Sequence, residues 1–439
     1  MELFSREVWA LFMFVVLMLA ILIGYPVAFT LGAVSLLFGS IFLGLGFFDL
    51  LPMRIWGIMT NFTLLAVPLF VFMGIILEKS GLAEDLLETM GALFGSLRGG
   101  LAISIIIVGA LLAATTGVVG ATVVTMGIIA LPSLLKNNYS PSLATGVIAT
   151  SGTLGQIIPP SIILILLADM IGVPVGRLFL GAVMPGILLV GLYLLYVVVK
   201  AWLDPKSAPA LNTNVHIGWQ QAIKTVLPVL LLIFAVLGTI FFGIATPTES
   251  AAFGAVGALI LAHKRLSLKN LQDAMQHTTR LTSMVFLILI GATAFGLVFR
   301  GMGGDRLVHE ILTQLPGGTW GFMLISLLIV FILGFFLDFL EICFIVVPIL
   351  APIAEFFQID LLWFAVLIAV NLQTSFLTPP FGFSLFYLKA VAPLTMQMTT
   401  IYKGIVPFVI LQVIGLILLI LFPQITLWLP NLVDSWFNL

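Results

Sequence analysis

Asp338 and Glu341 are carboxylates three residues apart in an otherwise apolar run, Gly334-Phe335-Phe336-Leu337-Asp338-Phe339-Leu340-Glu341. A carboxylate at the centre of a bilayer costs about 2.5–3.5 kcal/mol on insertion scales, so one placed there ordinarily has a function. The bland alternative is a pair at a helix end, capped and hydrated. Two longer strings carry a different chemistry. Ser151-Gly152-Thr153-Leu154-Gly155-Gln156-Ile157-Ile158-Pro159-Pro160-Ser161 and Asn371-Leu372-Gln373-Thr374-Ser375-Phe376-Leu377-Thr378-Pro379-Pro380-Phe381-Gly382 each mix hydroxyls and glycine with a proline pair. Two prolines remove two amide donors and glycine permits non-helical backbone, so the helical ladder is expected to break within each string. In hydrocarbon such a break is tolerated only where it is buried in protein or lines a cavity. Its freed carbonyls and hydroxyls are the oxygen ligands a hard cation prefers. The helix restarting at Pro160-Ser161 would turn its positive end toward an anion.

Other chemistries are disfavoured. Cys343 is the single cysteine, so no intrachain disulfide and no cysteine-based metal motif can form. His216, His263, His277 and His309 are scattered through polar segments without a second ligand at metal spacing. No nucleophile–base pair stands within any apolar span, which favours a carrier or channel over an enzyme. Thr246-Pro247-Thr248-Glu249 fits a capping box, with Thr at N-cap, Pro at N1 and Glu at N3, better than an ion site.

The elements that must position these residues follow from composition. Of 439 residues, 62% are hydrophobic and 8% charged, and the mean hydropathy is +1.28. A soluble domain has about a quarter of its residues charged, and the net charge of −1 gives no reason to expect nucleic acid. Apolar runs long enough to cross about 30 Å of hydrocarbon recur along the chain, so the bilayer is its solvent. The first, from Val8 to Ile23, lacks the basic flank and cleavage site of a removable signal and is expected to be retained.

The chain repeats itself. Pro159-Pro160 returns as Pro379-Pro380 and Pro132 as Pro352, both at an offset of 220, as do Gly81 and Asp85 at Gly301 and Asp305. Gly99-Gly100 returns at Gly317-Gly318, Gly24 at Gly243, and Gly32-Ala33-Val34 at Gly254-Ala255-Val256. Expected spans are 7–23, 27–46, 62–78, 141–171 and 178–199, then 226–242, 247–262, 281–299, 360–388 and 403–422. Between the third and fourth of each half, 98–135 and 318–357 each enter and leave the same face as a helical hairpin. Their tips are Ala114-Thr115-Thr116-Gly117-Val118-Val119-Gly120-Ala121-Thr122 and the carboxylate-bearing run. Segments from Glu78 to Glu88 and from Arg300 to Glu310 read as amphipathic surface arms. Five crossings per half make the repeats inverted. An external N-terminus leaves only Arg6, Arg54, Arg177, Arg300 and Arg306 outside and the other twelve basic residues inside, as the positive-inside rule requires. Both termini then face the periplasm or exterior, and the polar linker from Trp202 to Lys224, with Asn212 to Asn214, is cytoplasmic. Inverted repeats with broken helices place solute and ion sites near the midplane.

Over essentially its whole length the chain resembles the large membrane (M) subunit of TRAP (tripartite ATP-independent periplasmic) transporters, nearest the mannitol/chloroaromatic-type branch. The matching stretches are Ala245 to Glu249, Ser151 to Gly155, Ile158 to Ser161, and Thr378-Pro379-Pro380-Phe381-Gly382. The resemblance implies an all-α polytopic protein of the bacterial inner membrane with an elevator-type fold. It implies sodium-coupled uptake of a small organic acid, a small four-helix membrane subunit, and a periplasmic substrate-binding protein. It also places sodium between each hairpin tip and the neighbouring break. One site would use Thr116 and Gly117 with Ser151, Gly152, Thr153 and Gly155; the other would use Gly334 and Asp338 with Thr374, Ser375 and Thr378. Pro159, Pro160, Ser161, Glu341, Pro379 and Pro380 are the candidates for touching the solute. Val118 and Val119 stand where many relatives have serine, which leaves fewer hydroxyls at the first tip, and Glu341 is not general in the family.

On this reading 1–97 and 226–317 form a frame, 98–200 and 318–439 a moving body, and 201–225 the linker. The alternatives are a stand-alone sodium- or proton-coupled dicarboxylate or citrate carrier of the divalent-anion type and, more remotely, an ion channel.

Overall fold

The computed structural model describes residues 5–117, 119–211 and 219–437, apart from the side chains of Thr116, Trp219 and Phe437. Val118, His216 and Asn212 to Asn214 lie outside the described residues. The described chain is helical, with no strand. The first half runs α1 (Arg6–Ile23), α2 (Val27–Phe42), α3 (Leu51–Met59), α4 (Ala66–Lys79), α5 (Leu82–Phe94), α6 (Gly100–Thr116), α7 (Val119–Lys136), α8 (Pro141–Thr153), α9 (Ile162–Ile171) and α10 (Val175–Leu203). The second runs α11 (Trp219–Phe241), α12 (Pro247–Ala262), α13 (Leu268–Gly301), α14 (Gly304–Thr313), α15 (Thr319–Leu333), α16 (Phe339–Glu341), α17 (Val347–Phe356), α18 (Leu361–Leu377), α19 (Phe383–Val391), α20 (Met398–Leu421) and α21 (Gln424–Phe437). A π-helical turn, Ile342–Val346, joins α16 to α17.

The repeat is visible in who packs against whom. α2 lies along α13, and α12 along α4; α8 lies along α20, and α18 along α10. α1 meets α14 as α11 meets α5. Each pairing reappears with the two halves exchanged, the signature of an internal two-fold relation. α6 and α7 form the first hairpin, and α15 with α16–α17 the second. The 17 residues of α6 give a length of about 25 Å at 1.5 Å per residue, enough to reach deep into the membrane interior, and α7 packs back along it. Pro132 and Pro352 both sit inside the hairpins' return helices, at matching places.

Several boundaries differ from expectation. The counterpart of Gly81 is Gly303 rather than Gly301, because Gly81 and Gly303 are the positive-φ residues that open the two arms, α5 and α14. Positive φ carries little penalty only for glycine, so the turn fixes the register and the composition around it does not. The third span of the second half is the long α13, which starts at Leu268, ahead of the expected 281, whereas its repeat mate is bent by 56° between its 45–59 and 63–79 segments. α21 was not anticipated; Trp428, Pro430 and Asp434 break up its apolar pattern. It packs on α10, and Arg177 pairs with Asp434 at 2.8 Å.

The capping box forms: Glu249 N–H donates to Thr246 Oγ1, and Thr246 N–H to Glu249 Oε2 at 2.8 Å. On the other face, the start of the linker is pinned. Gly99 N–H donates to Ala208 O, Leu211 N–H to Gly95 O, and Ser140 N–H to Ser207 O. Beside it, the hydrogen bond and charge of Lys200 hold the Asp204 carboxyl below its usual range.

Candidate functional site

Both helix breaks are narrower than the strings that announced them. α8 stays helical through Thr153 and tightens to a 3₁₀ turn over Leu154–Gln156, and α9 begins at Ile162 with Ser161 as its N-cap residue. α18 runs through Leu377, and α19 begins after Gly382. Ser151, Gly152, Thr153, Asn371, Gln373, Thr374 and Ser375 are therefore helical, a correction to breaks expected over 151–161 and 371–382. The reason is local. A proline removes its own donor, crowds the carbonyl one turn back and turns the preceding residue out of the helical region, so its effect is confined to about one turn, and the hydroxyls upstream fold back onto their own helix instead of breaking it.

Those back-bonds shape what the site can bind. Ser151 Oγ donates to Val147 O at 2.6 Å, Thr153 Oγ1 to Thr150 O at 2.8 Å, and Ser161 Oγ to Gln156 O at 2.9 Å. In the second half Thr374 Oγ1 donates to Val370 O, Ser375 Oγ to Leu372 O, and Thr378 Oγ1 to Thr374 O, at 2.7–2.8 Å. A hydroxyl has one proton, so each that has spent it on a carbonyl offers only lone pairs to a further ligand. Six such hydroxyls at two breaks suit a cation better than an anion.

The hairpin tips reach these breaks. A Cβ added to Gly334 would collide with the Ser375 hydroxyl, so the second tip touches α18 where only glycine fits. In the first half a Cβ at Gly109 would collide with Ser151, and one at Gly152 with Val123 of α7. Gly117, at φ +59°, closes the first tip beside Pro160 O and the amide of Ile162. Gly155 lies in ordinary contact with Ala113. The structure thus brings Gly117, Gly152 and Gly155 together with the first break, and Gly334 with Ser375 at the second. Thr116 closes α6, and its side chain lies outside the described residues.

The carboxylates occupy different environments. Asp338 is half-buried and caps α16, its Oδ1 accepting from Phe339 N–H at 2.8 Å. Glu341 is 4% exposed, and its Oε2 has no partner among the described residues. It immediately precedes the π-helical turn, a distortion frequent at functional sites. The proline pairs also differ: Pro159 and Pro160 are buried, whereas Pro379 is half-buried and Pro380 exposed.

Three features were not singled out from sequence. Gln373 Nε2 donates to Thr153 Oγ1 at 3.4 Å, across 220 residues. That separation equals the repeat offset of the proline pairs, so the bond joins equivalent positions and the breaks meet at the two-fold axis. Gln156 is fully buried with neither amide atom partnered, and Thr150 Oγ1 and Gln373 Oε1 are likewise unpartnered among the described residues. Glutamine inside an apolar break was the available signal. Finally, each restarting helix packs on the other half's hairpin: α19 on α7, with Tyr387 against Gly120, and α9 on α17. Only the folded chain shows this exchange. Among the described residues no group of three His, Cys, Asp or Glu side chains could hold a metal ion.

Comparison with known proteins then decides the family. Residues 14–425 match the family described as tripartite ATP-independent periplasmic transporter, DctM component. The chain belongs to the DctM family. It is 31% identical over 384 residues to the C4-dicarboxylate TRAP transporter large permease protein DctM of Pseudomonas aeruginosa, covering 87% of this chain and 89% of that one. It is 29% identical to the sialic acid TRAP transporter permease protein SiaT of Haemophilus influenzae, over 97% of this chain and 67% of SiaT. The ectoine TRAP transporter large permease protein TeaC of Halomonas elongata is 28% identical over 94% of this chain and 96% of TeaC. Among solved structures, the YdaH transporter of Alcanivorax borkumensis superposes with a TM-score of 0.65 at 12% identity, over 96% of this chain and 99% of that one. DctM membership makes the chain a multi-pass permease subunit of a TRAP transporter, and not an enzyme.

Proposed function

We propose that this DctM-family chain drives uptake of a small organic acid or related solute across the bacterial inner membrane with the sodium gradient. It would do so with a small four-helix membrane subunit and a periplasmic binding protein that delivers the solute. Both termini would face the periplasm. The observation that carries the sodium reading is the seating of each glycine-bearing hairpin tip on a break whose hydroxyls retain only acceptor capacity. Sodium would sit at Gly117 with Ser151 to Gly155, and at Gly334 and Asp338 with Thr374, Ser375 and Thr378. The orphaned oxygens of Gln156 and Gln373 add neutral ligands near the axis. The solute would lie against Pro159, Pro160, Ser161, Glu341, Pro379 and Pro380.

The test is uptake into proteoliposomes holding both membrane subunits, with binding protein outside and C4-dicarboxylates, sialic acid and ectoine as trial solutes. Uptake that needs both the binding protein and an inward sodium gradient is expected. Uptake without the binding protein would instead favour a stand-alone carrier.

Alternating access would come from an elevator motion, with 98–200 and 318–439 sliding as a body against 1–97 and 226–317. Among the described residues two bonds between side chains cross that boundary, beside the bond that Ser104 Oγ donates to Met90 O at 2.7 Å. Thr125 Oγ1 donates to Glu78 Oε1 at 2.6 Å, and Asn61 Nδ2 to Asp169 Oδ1 at 2.8 Å. A slide of several ångströms breaks both, so they bias the resting position. Hydrogen bonds to charged groups are worth about 1.5–3 kcal/mol. Glu78→Gln combined with Thr125→Val should therefore change the uptake rate by about threefold or more. An unchanged rate would place Glu78 and Thr125 in one rigid body.

A further inference from the structure

Three of the five arginines that the charge count leaves outside, Arg54, Arg300 and Arg306, line one cavity of about 950 Å³. It lies between α3, α13 and α14 on one side and the end of α9 and the return arm of the second hairpin on the other. The cavity runs from Arg300 to Leu289 along α13, about 16 Å of helix, and its inner wall includes Phe344, three residues past Glu341. It therefore links the outer rim to the neighbourhood of the carboxylate-bearing tip. Basic residues are selected against on this face, so their concentration around one opening calls for a local cause.

The charges at the opening are not consumed by the protein. Arg306 pairs with Glu310 at 3.3 Å, but Arg54 and Arg300 make no ion pair or hydrogen bond among the described residues. Two acids share the lining. Asp169 is engaged by Asn61, and Asp305 stands in the first turn of α14, where the helix end offsets its charge. Two free guanidiniums remain, each a planar fork matched to a carboxylate.

We propose that Arg54 and Arg300 form a carboxylate-binding station at the mouth of this cavity, which an anionic solute occupies before it reaches the hairpin tip. The station rests on the reading of the chain as an organic-acid permease, and it extends that reading by a site outside the two breaks. Low-dielectric walls concentrate the field of such a cluster and raise the local concentration of the anion.

Gly57 lines the cavity one turn from Arg54, and a Cβ there meets open space. The native Cys343 is buried, so Gly57→Cys supplies the single accessible thiol. Right-side-out vesicles carrying that variant are treated with membrane-impermeant methanethiosulfonates, one bearing a sulfonate and one a trimethylammonium group. The anionic reagent should be favoured about fivefold over its preference on a free thiol, as focusing by a charged cleft implies. Arg54→Gln with Arg300→Gln should abolish the preference, while Arg300→Lys should keep it. Succinate should slow modification far more than sulfate at equal ionic strength, and only when the arginines are present. A preference that survives the double neutralisation would overturn the station, as would equal protection by succinate and sulfate. Neither readout needs sodium or turnover, so its failure is distinguishable from failure of the sodium-driven uptake reading.

Discussion

Gly334→Ala should reduce uptake by at least tenfold and lower the melting temperature, and Ser375→Gly in the same chain should restore the melting temperature without restoring full uptake. The added methyl would occupy the space of the Ser375 hydroxyl and crowd its Cβ. Overpacking at a site with backbone on one side costs about 1–3 kcal/mol. Here the strain falls on the contact between a hairpin tip and a helix end. The tip can relieve it by lifting off α18, which separates Gly334 from Ser375 and, in the proposed site, Asp338 from its partners. Removing the Ser375 side chain relieves the clash but also removes an acceptor that would face the ion. The single and double variants therefore separate packing from ligation, since contacting residues couple non-additively. If the double variant recovers both melting temperature and uptake, Ser375 is a packing residue only. If Gly334→Ala is silent in both, the tip does not seat on α18.

Asp338→Asn should weaken the apparent sodium affinity by tenfold or more while leaving the fold intact. Asparagine caps a helix about as well as aspartate, so the bond to Phe339 N–H can persist. What disappears is the formal charge, and a tenfold change corresponds to about 1.4 kcal/mol. Glu341→Gln provides the comparison. Glu341 is more deeply buried and has an unpartnered oxygen, so it should alter solute choice or ion dependence, and a variant unchanged in both would leave it a structural residue. A response to sodium that is the same in Asp338→Asn as in the parent would remove Asp338 from the ion site and leave it a helix cap.

The architecture was legible because membrane insertion restricts the options: apolar length gives the helices, and a collinear series of prolines and glycines gives the repeat. Pro159-Pro160 and Pro379-Pro380 announced where the helices break. They did not announce how far, because Thr374, Ser375 and Thr378 could satisfy themselves within the helix, and nothing in their type says that they do. The counterpart of Gly81 is ambiguous in sequence because Gly301, Gly303 and Gly304 cluster at the start of the second arm, and only φ shows that Gly303 opens it. Gln373 meeting Thr153, and α19 packing on the first hairpin, depend on how two halves distant in sequence fold together. No single helix carries that information. The outer cavity leaves no mark in the sequence for the same reason, since Arg54 and Arg300 are brought together only by the packing of α3 beside α13.

The most direct test of the central claim, that sodium binds between hairpin tips and helix breaks, needs no solute. The purified protein is melted across a titration of NaCl, KCl and choline chloride at constant ionic strength. A ligand bound only by the folded state stabilises it by RT ln(1 + [L]/Kd), or about 2.7 kcal/mol at a hundredfold excess over Kd. The account predicts a saturating rise specific to sodium, diminished in Asp338→Asn and in Ser151→Ala. Equal curves in the three salts would contradict it, and a shift with pH in their place would assign the coupling to protons.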